Sequence, residues 1–351
     1  KSGYYPYNVL IIKIMEAIKM GLLNNWKTAL ETGNLPENAK MDFVSKWLIL
    51  TRAEVFSMTI TSALVGAIIA AYDGKINWLY LALVISALCL AHASNNLIND
   101  YFDYKQGVDT ADYPRTQYSP HPIISGLITE KQLLGAVLIF SILEFMAAVY
   151  LFINVGWQAM AFAAAGFLIS VFYVAPPLKL KYRGLGELAI FLIWGPLITV
   201  GTYFVMTGQM PAKAWLASIP YGLVVMNVLL GKHLDKFDAD SKKGVKTLPV
   251  VLGWKNALTF TRINSAMFYV AVVMLVLFKI ISPLALICFF SVGRFKKFID
   301  ILATKKPDAK PEGFINLWPL WYVVWAFWFN KLAGGLFITG MLLGLIPYFR
   351  F

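Results

Sequence analysis

Charge is what this sequence has least of. Only 14% of its 351 residues are Asp, Glu, Lys or Arg, where soluble domains carry about 25%. With 59% of the residues hydrophobic, a soluble globule of this size could not hide its apolar surface. A disordered chain needs the opposite composition. Cysteine is nearly absent. Cys89 and Cys288 each lie inside an apolar run, so both are expected in the core and no disulfide framework is indicated. Charged residues within the apolar runs are scarce too, with Glu54, Glu144, Arg262 and Lys331 the main ones. That argues against the ion pathway of a transporter. What is left is an all-α polytopic membrane protein.

A spanning helix needs about 20 mostly apolar residues. About nine candidates follow, near 53–71, 77–99, 132–153, 156–175, 187–206, 213–232, 257–279, 281–299 and 317–347. The last is long enough to be one tilted helix or two pieces broken at Gly334 and Gly335. Residues 1–49 stand apart as an N-terminal segment. In it Val9–Leu23 interleaves apolar residues with Lys13, Glu16 and Lys19. That stretch reads as an amphipathic helix on the membrane surface or as a helix packed on loops, and it could meet a partner in a membrane complex.

The net charge is nevertheless +12. Eighteen of the basic residues fall in the loops after the second, fourth, sixth and eighth candidates, against four on the other side. The positive-inside rule puts the richer side in the cytoplasm, in a bacterial or archaeal plasma membrane or an organelle inner membrane. The expected anionic partner is lipid or substrate, not nucleic acid.

Acidic residues cluster on that same side. Asp100 and Asp103 end the second candidate, with Asp109 and Asp112 following; Asp235, Asp238 and Asp240 end the sixth. Carboxylates three apart share a helix face and repel, and a helix C-terminus disfavours anions. Two unfavourable terms together point to a compensating cation. Mg²⁺ suits such a site, because it takes oxygen ligands shared between carboxylates and phosphates. The two segments look like copies, each D-x-F-D followed by K-x-G-V-x-T, with two extra residues in the second. Lys179, Lys181 and Arg183 follow a Pro176-Pro177 stop, and Arg52, Arg115 and His121 lie nearby in the chain. Basic residues around carboxylate pairs, above apolar helices, suit a substrate with a diphosphate head and a long apolar tail.

At these residues the chain resembles the UbiA-type intramembrane prenyltransferases, over roughly residues 48–345. Arg52 with Leu64–Ala67 is similar to the family's first helix. Asn96-x-x-Asn99-Asp100-x-x-Asp103 resembles the first Asp-rich motif, extended by Gly107–Thr110 and Ser125–Thr129. Gly184–Glu187, Gly195-Pro196 and Gly201–Tyr203 resemble the fifth helix, and Lys243–Pro249 closes the second motif. The resemblance implies nine helices around a central cavity in a prenyltransferase domain of residues 50–351. It implies Mg²⁺-dependent transfer of a polyprenyl group from its diphosphate to a lipid-soluble aromatic acceptor. Asn99–Thr110 and the fifth helix look most like dihydroxynaphthoate prenyltransferases of menaquinone synthesis. Tyr173–Lys181 is more similar to chlorophyll synthases and homogentisate prenyltransferases. A catalytically silent, lipid- or quinone-binding subunit of a membrane complex is the reading from another class.

The site expected from all this has Asp100 and Asp103 on one Mg²⁺ and Asp235, Asp238 and Asp240 on a second. Arg52, Asn96, Asn99, Arg115, His121, Lys179 and Lys181 would bind the diphosphate, and Glu187 or Asp109 would take the acceptor's proton. Two residues depart from the family's pattern. His121 stands where an Arg is usual, and counting back from Gly244 puts Lys236 where the second motif's first Asp is usual.

Overall fold

The structure, a computed structural model, describes residues 21–36, 38–315 and 317–346. The amphipathic stretch expected at Val9–Leu23 lies outside them except for its last three residues. A helix in lipid satisfies its backbone N–H and C=O groups internally, and the long apolar runs do form helices. Among the described residues, seven are long and apolar enough to cross a bilayer: Ala53–Tyr72, Trp78–Lys105, Glu130–Val155, Gly186–Thr207, Ala212–Asp235, Trp254–Leu277 and Tyr322–Leu343. Trp157–Phe172 is a shorter apolar helix.

The expected span at 281–299 takes a different form. Pro283–Ser291 is a 3-10 turn that runs into the helix Val292–Ala303. Arg294, Lys296, Lys297 and Asp300 charge one side of that helix, and Phe298, Ile301 and Leu302 are buried on the other. The nine expected spans are thus seven full helices, one short helix and one bent, half-amphipathic segment. Among the described residues there is no strand, only an isolated backbone bridge between Arg183 and Lys246.

Ala212–Asp235 is the axis of the bundle. It packs on Ala53–Tyr72, Gly186–Thr207, Trp254–Leu277 and Tyr322–Leu343. Some 72% of its apolar stretch is buried, against 11% for Glu130–Val155. The latter turns Leu138, Ile139, Phe145, Met146 and Ile153 outward, as a lipid-facing helix must. Its start is a capping box: Thr129 Oγ1 accepts from Gln132 N at 3.2 Å, and Gln132 Oε1 accepts from Thr129 N at 2.9 Å.

Small residues let the helices touch. A Cβ on Gly66 would stand 2.2 Å from the Thr199 carbonyl oxygen, so only glycine permits that crossing. Gly334 does not break the last helix. It leaves room for Tyr221, whose ring a Cβ would meet at 2.5 Å. Pro196 does perturb its helix, where residues Ile193–Leu197 form a π turn. Ser62 Oγ donates to the Trp194 carbonyl there at 2.6 Å.

Because successive helices alternate in direction, residues 99–130, 173–186 and 235–254 meet at one end of the bundle. Exposed Trp78 and Trp157 begin helices at the other end, the placement of an interfacial aromatic belt. The protein is an integral, multi-pass membrane protein by this architecture.

Candidate active site

Two glycine turns organise the end where the loops gather. Gly107 and Gly244 both have φ near +70° (68° and 70°), a conformation that costs glycine little. In each turn the next valine N–H donates back to the aspartate four residues before the glycine. Val108 N donates to Asp103 O at 2.9 Å, and Val245 N to Asp240 O at 2.8 Å. Val108 and Val245 are both buried in one small cluster with Tyr113. Lys243 Nζ clasps the two turns together through Val108 O at 2.7 Å and Thr110 Oγ1 at 2.8 Å.

The two acidic segments are therefore copies, in a register different from the expected one. Asp103 corresponds to Asp240, each buried and each bonded to a tyrosine hydroxyl. Tyr182 Oη donates to Asp103 at 2.6 Å, and Tyr113 Oη donates to Asp240. Each also has a lysine: Lys181 Nζ at 2.5 Å from Asp103, and Lys236 Nζ at 3.8 Å from Asp240. Burial alone would lower the pKa of Lys181, and Asp103 outweighs it and holds the ammonium above its usual value.

Asp235 and Asp238 do not join this arrangement. The Asp235 carboxylate accepts from Trp321 N at 2.8 Å, Tyr322 N at 3.0 Å and Val323 N at 3.0 Å. It caps the N-terminus of the last helix, where backbone donors lack intrahelical partners. Asp238 is exposed. Of the three carboxylates expected to hold a second metal, only Asp240 faces the first motif.

Asp100 is fully buried between two arginines. Arg52 Nη2 donates to its Oδ1, and Arg115 binds it through Nε at 3.0 Å and Nη2 at 2.8 Å. Arg52 is held in the left-handed backbone region at φ 56°, a strained choice for an arginine. Asn96 supports that bend, its Nδ2 donating to Thr51 O at 2.9 Å. Asn96 thus positions the Arg52 backbone and does not line the pocket.

A polar pocket with about 310 Å³ of empty space, counting its open mouth, lies between these groups. Arg52, Asn99, Arg115 and Lys181 of the expected diphosphate set line it, with Asp103 and Asp109. Lys232, His233 and Lys236 line it from Ala212–Asp235 and the residue after it, and Tyr118 and Tyr173 complete it. Sequence reasoning assigned no site role to Lys232, His233 or the tyrosines. Their only signal was the basic run beside the second acidic segment. His233 Nδ1 pairs with Glu187 Oε1 at 2.6 Å, so Glu187 reaches the pocket through a histidine.

His121 and Lys179 sit elsewhere. His121 Nδ1 accepts from Ile123 N and Ile124 N, both at 3.3 Å. The ring proton of a neutral His121 is then on Nε2, which faces Asp109 Oδ2 at 3.4 Å. His121 steadies Asp109 and is not part of the pocket wall. Burial and Asp100 push the Asp109 carboxyl up, but the His121 hydrogen bond, Lys181 and Arg115 prevail and hold it below its usual value. Lys179 Nζ donates to Gln106 Oε1 at 2.6 Å, at the rim.

Two buried oxygens here have no donor, Asn99 Oδ1 and Asp240 Oδ2. Asp100, Asp109 and His121 each offer one ligand atom, all within 4.8 Å of one another. Unsatisfied buried acceptors are costly, and oxygen donors of this kind fit a hard divalent cation.

One helical turn deeper, the wall changes character. Asn95 is on the same face as Asn99 and lines a second cavity, with about 1140 Å³ of empty space counting its mouth. Leu88, Phe162, Phe167, Trp194 and Val205 make it apolar. Several of its polar groups are tied to one another. Thr59 Oγ1 accepts from Trp194 Nε1 at 3.1 Å and bonds His92 Nδ1 at 2.8 Å, and Ser94 Oγ donates to Glu144 at 2.7 Å.

The N-terminal segment braces the polar pocket from outside. Asn34 Nδ2 donates to Tyr118 O at 2.7 Å, and Ser119 Oγ donates to Gly33 O at 2.8 Å. Arg115 Nη1 in turn donates to Ser119 O at 3.0 Å.

Comparison with known proteins bears on this geometry. Over 246 residues the chain is 28% identical to the 1,4-dihydroxy-2-naphthoate octaprenyltransferase of Bacillus subtilis (strain 168), covering 70% of this chain and 78% of the relative. Its fold is similar to that of a UbiA homolog from Aeropyrum pernix K1, with TM-score 0.64 and 16% identity, covering 84% of this chain and 98% of the other. It is also similar to a UbiA homolog from Archaeoglobus fulgidus bound to GPP and Mg²⁺, with TM-score 0.53 and 15% identity, covering 83% and 99%. Residues 59–320 match the UbiA prenyltransferase family. With that match running from the first spanning helix to the threshold of the last, the chain belongs to the UbiA prenyltransferase family.

Proposed function

We propose that this chain transfers a prenyl group from its diphosphate to a lipid-soluble aromatic acceptor of the dihydroxynaphthoate type, in menaquinone-type quinone synthesis, with Mg²⁺. The observation that carries the reading is the nearness of the two cavities. A basic, carboxylate-lined pocket and an apolar chamber lie one helical turn apart, Asn99 lining the first and Asn95 the second. A prenyl diphosphate has the same division of chemistry. The acceptor class is supported by the named activity of the Bacillus relative. The metal is supported by the Archaeoglobus homolog bound to GPP and Mg²⁺ and by the unsatisfied oxygens at the pocket.

Mg²⁺, when bound, would neutralise charge on the departing diphosphate, held by Asp100, Asp103, Asp109 and Asn99. Arg52, Arg115 and Lys181 orient the diphosphate and offset its charge from fixed positions, which costs no reorganisation as the bond breaks. The apolar chamber keeps water from the allylic carbon. Trp194 and Phe162 supply aromatic faces there, each worth about 0.5–2 kcal/mol to a nearby cation. His233, held by Glu187, is placed to take a proton released at the pocket. The loop-rich, basic end is the cytoplasmic-type side under the positive-inside rule.

The test uses the full chain in purified membranes, with a series of prenyl diphosphates and a panel of aromatic acceptors, in Mg²⁺ or EDTA. Metal-dependent prenylation of dihydroxynaphthoate, abolished by Asp100→Ala, is expected. Diphosphate release with homogentisate or a chlorophyllide but not dihydroxynaphthoate would replace the acceptor class. No release with any pair would overturn the enzymatic reading of this site.

A further inference from the structure

We propose that the ammonium groups of Lys232 and Lys236 take the place of a second divalent cation, so that the site works with a single Mg²⁺. The proposal rests on the reading of the polar pocket as a diphosphate site.

Four observations lead to it. The segment that follows Ala212–Asp235 turns Asp235 away to cap the last helix, at 2.8–3.0 Å from three backbone nitrogens. It leaves Asp238 in solvent. It turns Lys232 and Lys236 inward instead, and both line the pocket. The single carboxylate it directs toward the first motif, Asp240, already has Tyr113 on one oxygen and the Lys236 ammonium 3.8 Å away. A divalent ion on Asp240 would face that ammonium at close range in a poorly screened setting.

The lining points the same way. Arg52, Arg115, Lys181, Lys232 and Lys236 outnumber the two carboxylates on the pocket wall, Asp103 and Asp109. Asp100, Asp240 and Glu187 stand behind, each already paired with a basic side chain of the pocket. Lysine suits the role: its ammonium binds phosphate as a mobile point charge. Lys232 makes no ion pair among the described residues, so it is uncommitted until an anion arrives.

The experiment measures binding, separately from turnover. The purified full chain is titrated with Mn²⁺ in the presence of inorganic pyrophosphate, and bound Mn²⁺ is counted by electron paramagnetic resonance. One Mn²⁺ per chain is expected, and Lys236→Asp should raise the count to two. Pyrophosphate binding in EDTA should persist, then weaken about tenfold or more in Lys232→Met and in Lys236→Met. Lys→Arg variants at both positions keep the charge and should retain metal-free binding, which separates charge from folding. Two Mn²⁺ in the unaltered chain, or metal-free binding unchanged in both Met variants, overturns the proposal. Failure of the diphosphate reading looks different: pyrophosphate would bind in neither the presence nor the absence of metal.

Discussion

Asn34 and Tyr118, 84 residues apart in sequence, are joined by a 2.7 Å hydrogen bond from the Asn34 amide to the Tyr118 carbonyl. Through Ser119, the same turn fixes Arg115, and Arg115 grips Asp100. A segment outside the family-matched residues therefore helps set a pocket-lining arginine. One lost hydrogen bond is worth about 1 kcal/mol. Asn34→Ala should accordingly raise KM for the prenyl diphosphate about fivefold while changing kcat less. Steady-state kinetics on the full chain decide it. An unchanged KM would mean Arg115 is held without the brace.

The brace is itself pinned by Asp42. That side chain accepts from Trp26 Nε1 at 2.9 Å and from Val44 N and Ser45 N at 3.0 Å. It closes the loop carrying Gly33 and Asn34 and caps the helix Phe43–Leu50. The slight burial pushes the Asp42 carboxyl up, but the Ser45, Trp26 and Asn25 hydrogen bonds prevail and hold it well below the usual aspartate value. A depressed carboxylate lends stability above its unfolded pKa, about 3.9, and loses it as pH falls through the lower folded value. Asp42→Ala should make residues 21–50 more open to proteolysis at pH 7. The gap from the unaltered chain should close only below about pH 4. A difference that persists undiminished in strong acid would contradict the assignment.

Asp235 offers a check on the corrected metal set. As a helix cap, its replacement by Ala should cost about 0.5–2 kcal/mol of stability. Mn²⁺ affinity in the presence of pyrophosphate should stay within about twofold. Thermal unfolding in detergent and a metal titration give both readings. Lost metal binding with full stability would return Asp235 to the metal site.

The apolar chamber should set the length of prenyl chain accepted. Gly166 lines it, and a side chain there would enter open space. Gly166→Phe should shorten the longest prenyl diphosphate that the protein transfers, with little effect on short donors. Product chain lengths by mass spectrometry decide it. An unaltered product range would place the tail elsewhere.

How far the sequence revealed the site follows from how each residue is specified. Spans were legible because bilayer crossing imposes length and apolarity, and Trp78–Lys105 and Ala212–Asp235 obey both. The 281–299 run misled because its second half buries only one face. Asp100, Asp103, Arg52, Arg115 and Lys181 were legible as a cluster of unlike charges in one motif set. Asp235 and Asp238 misled because the comparison of the two acidic segments was keyed to D-x-F-D. The turn at the positive-φ glycine sets the register, and counting back four residues from Gly107 and Gly244 finds Asp103 and Asp240. Lys232, His233 and Tyr118 escaped because the pocket gathers them from segments far apart in the chain, which no local spacing records.

The wall of the apolar chamber on the side of Glu144, Ala148 and Leu151 belongs to the least buried of the seven long spanning helices. Beyond that single layer of side chains lies the hydrocarbon of the bilayer. A prenylated product is greasier than either of its precursors, so its lowest-energy exit is sideways into lipid rather than out through the charged pocket. The relevant concentration of such a substrate or product is its mole fraction in the membrane. Dilution with added lipid should slow turnover even when the amounts of protein and donor in the tube are held constant.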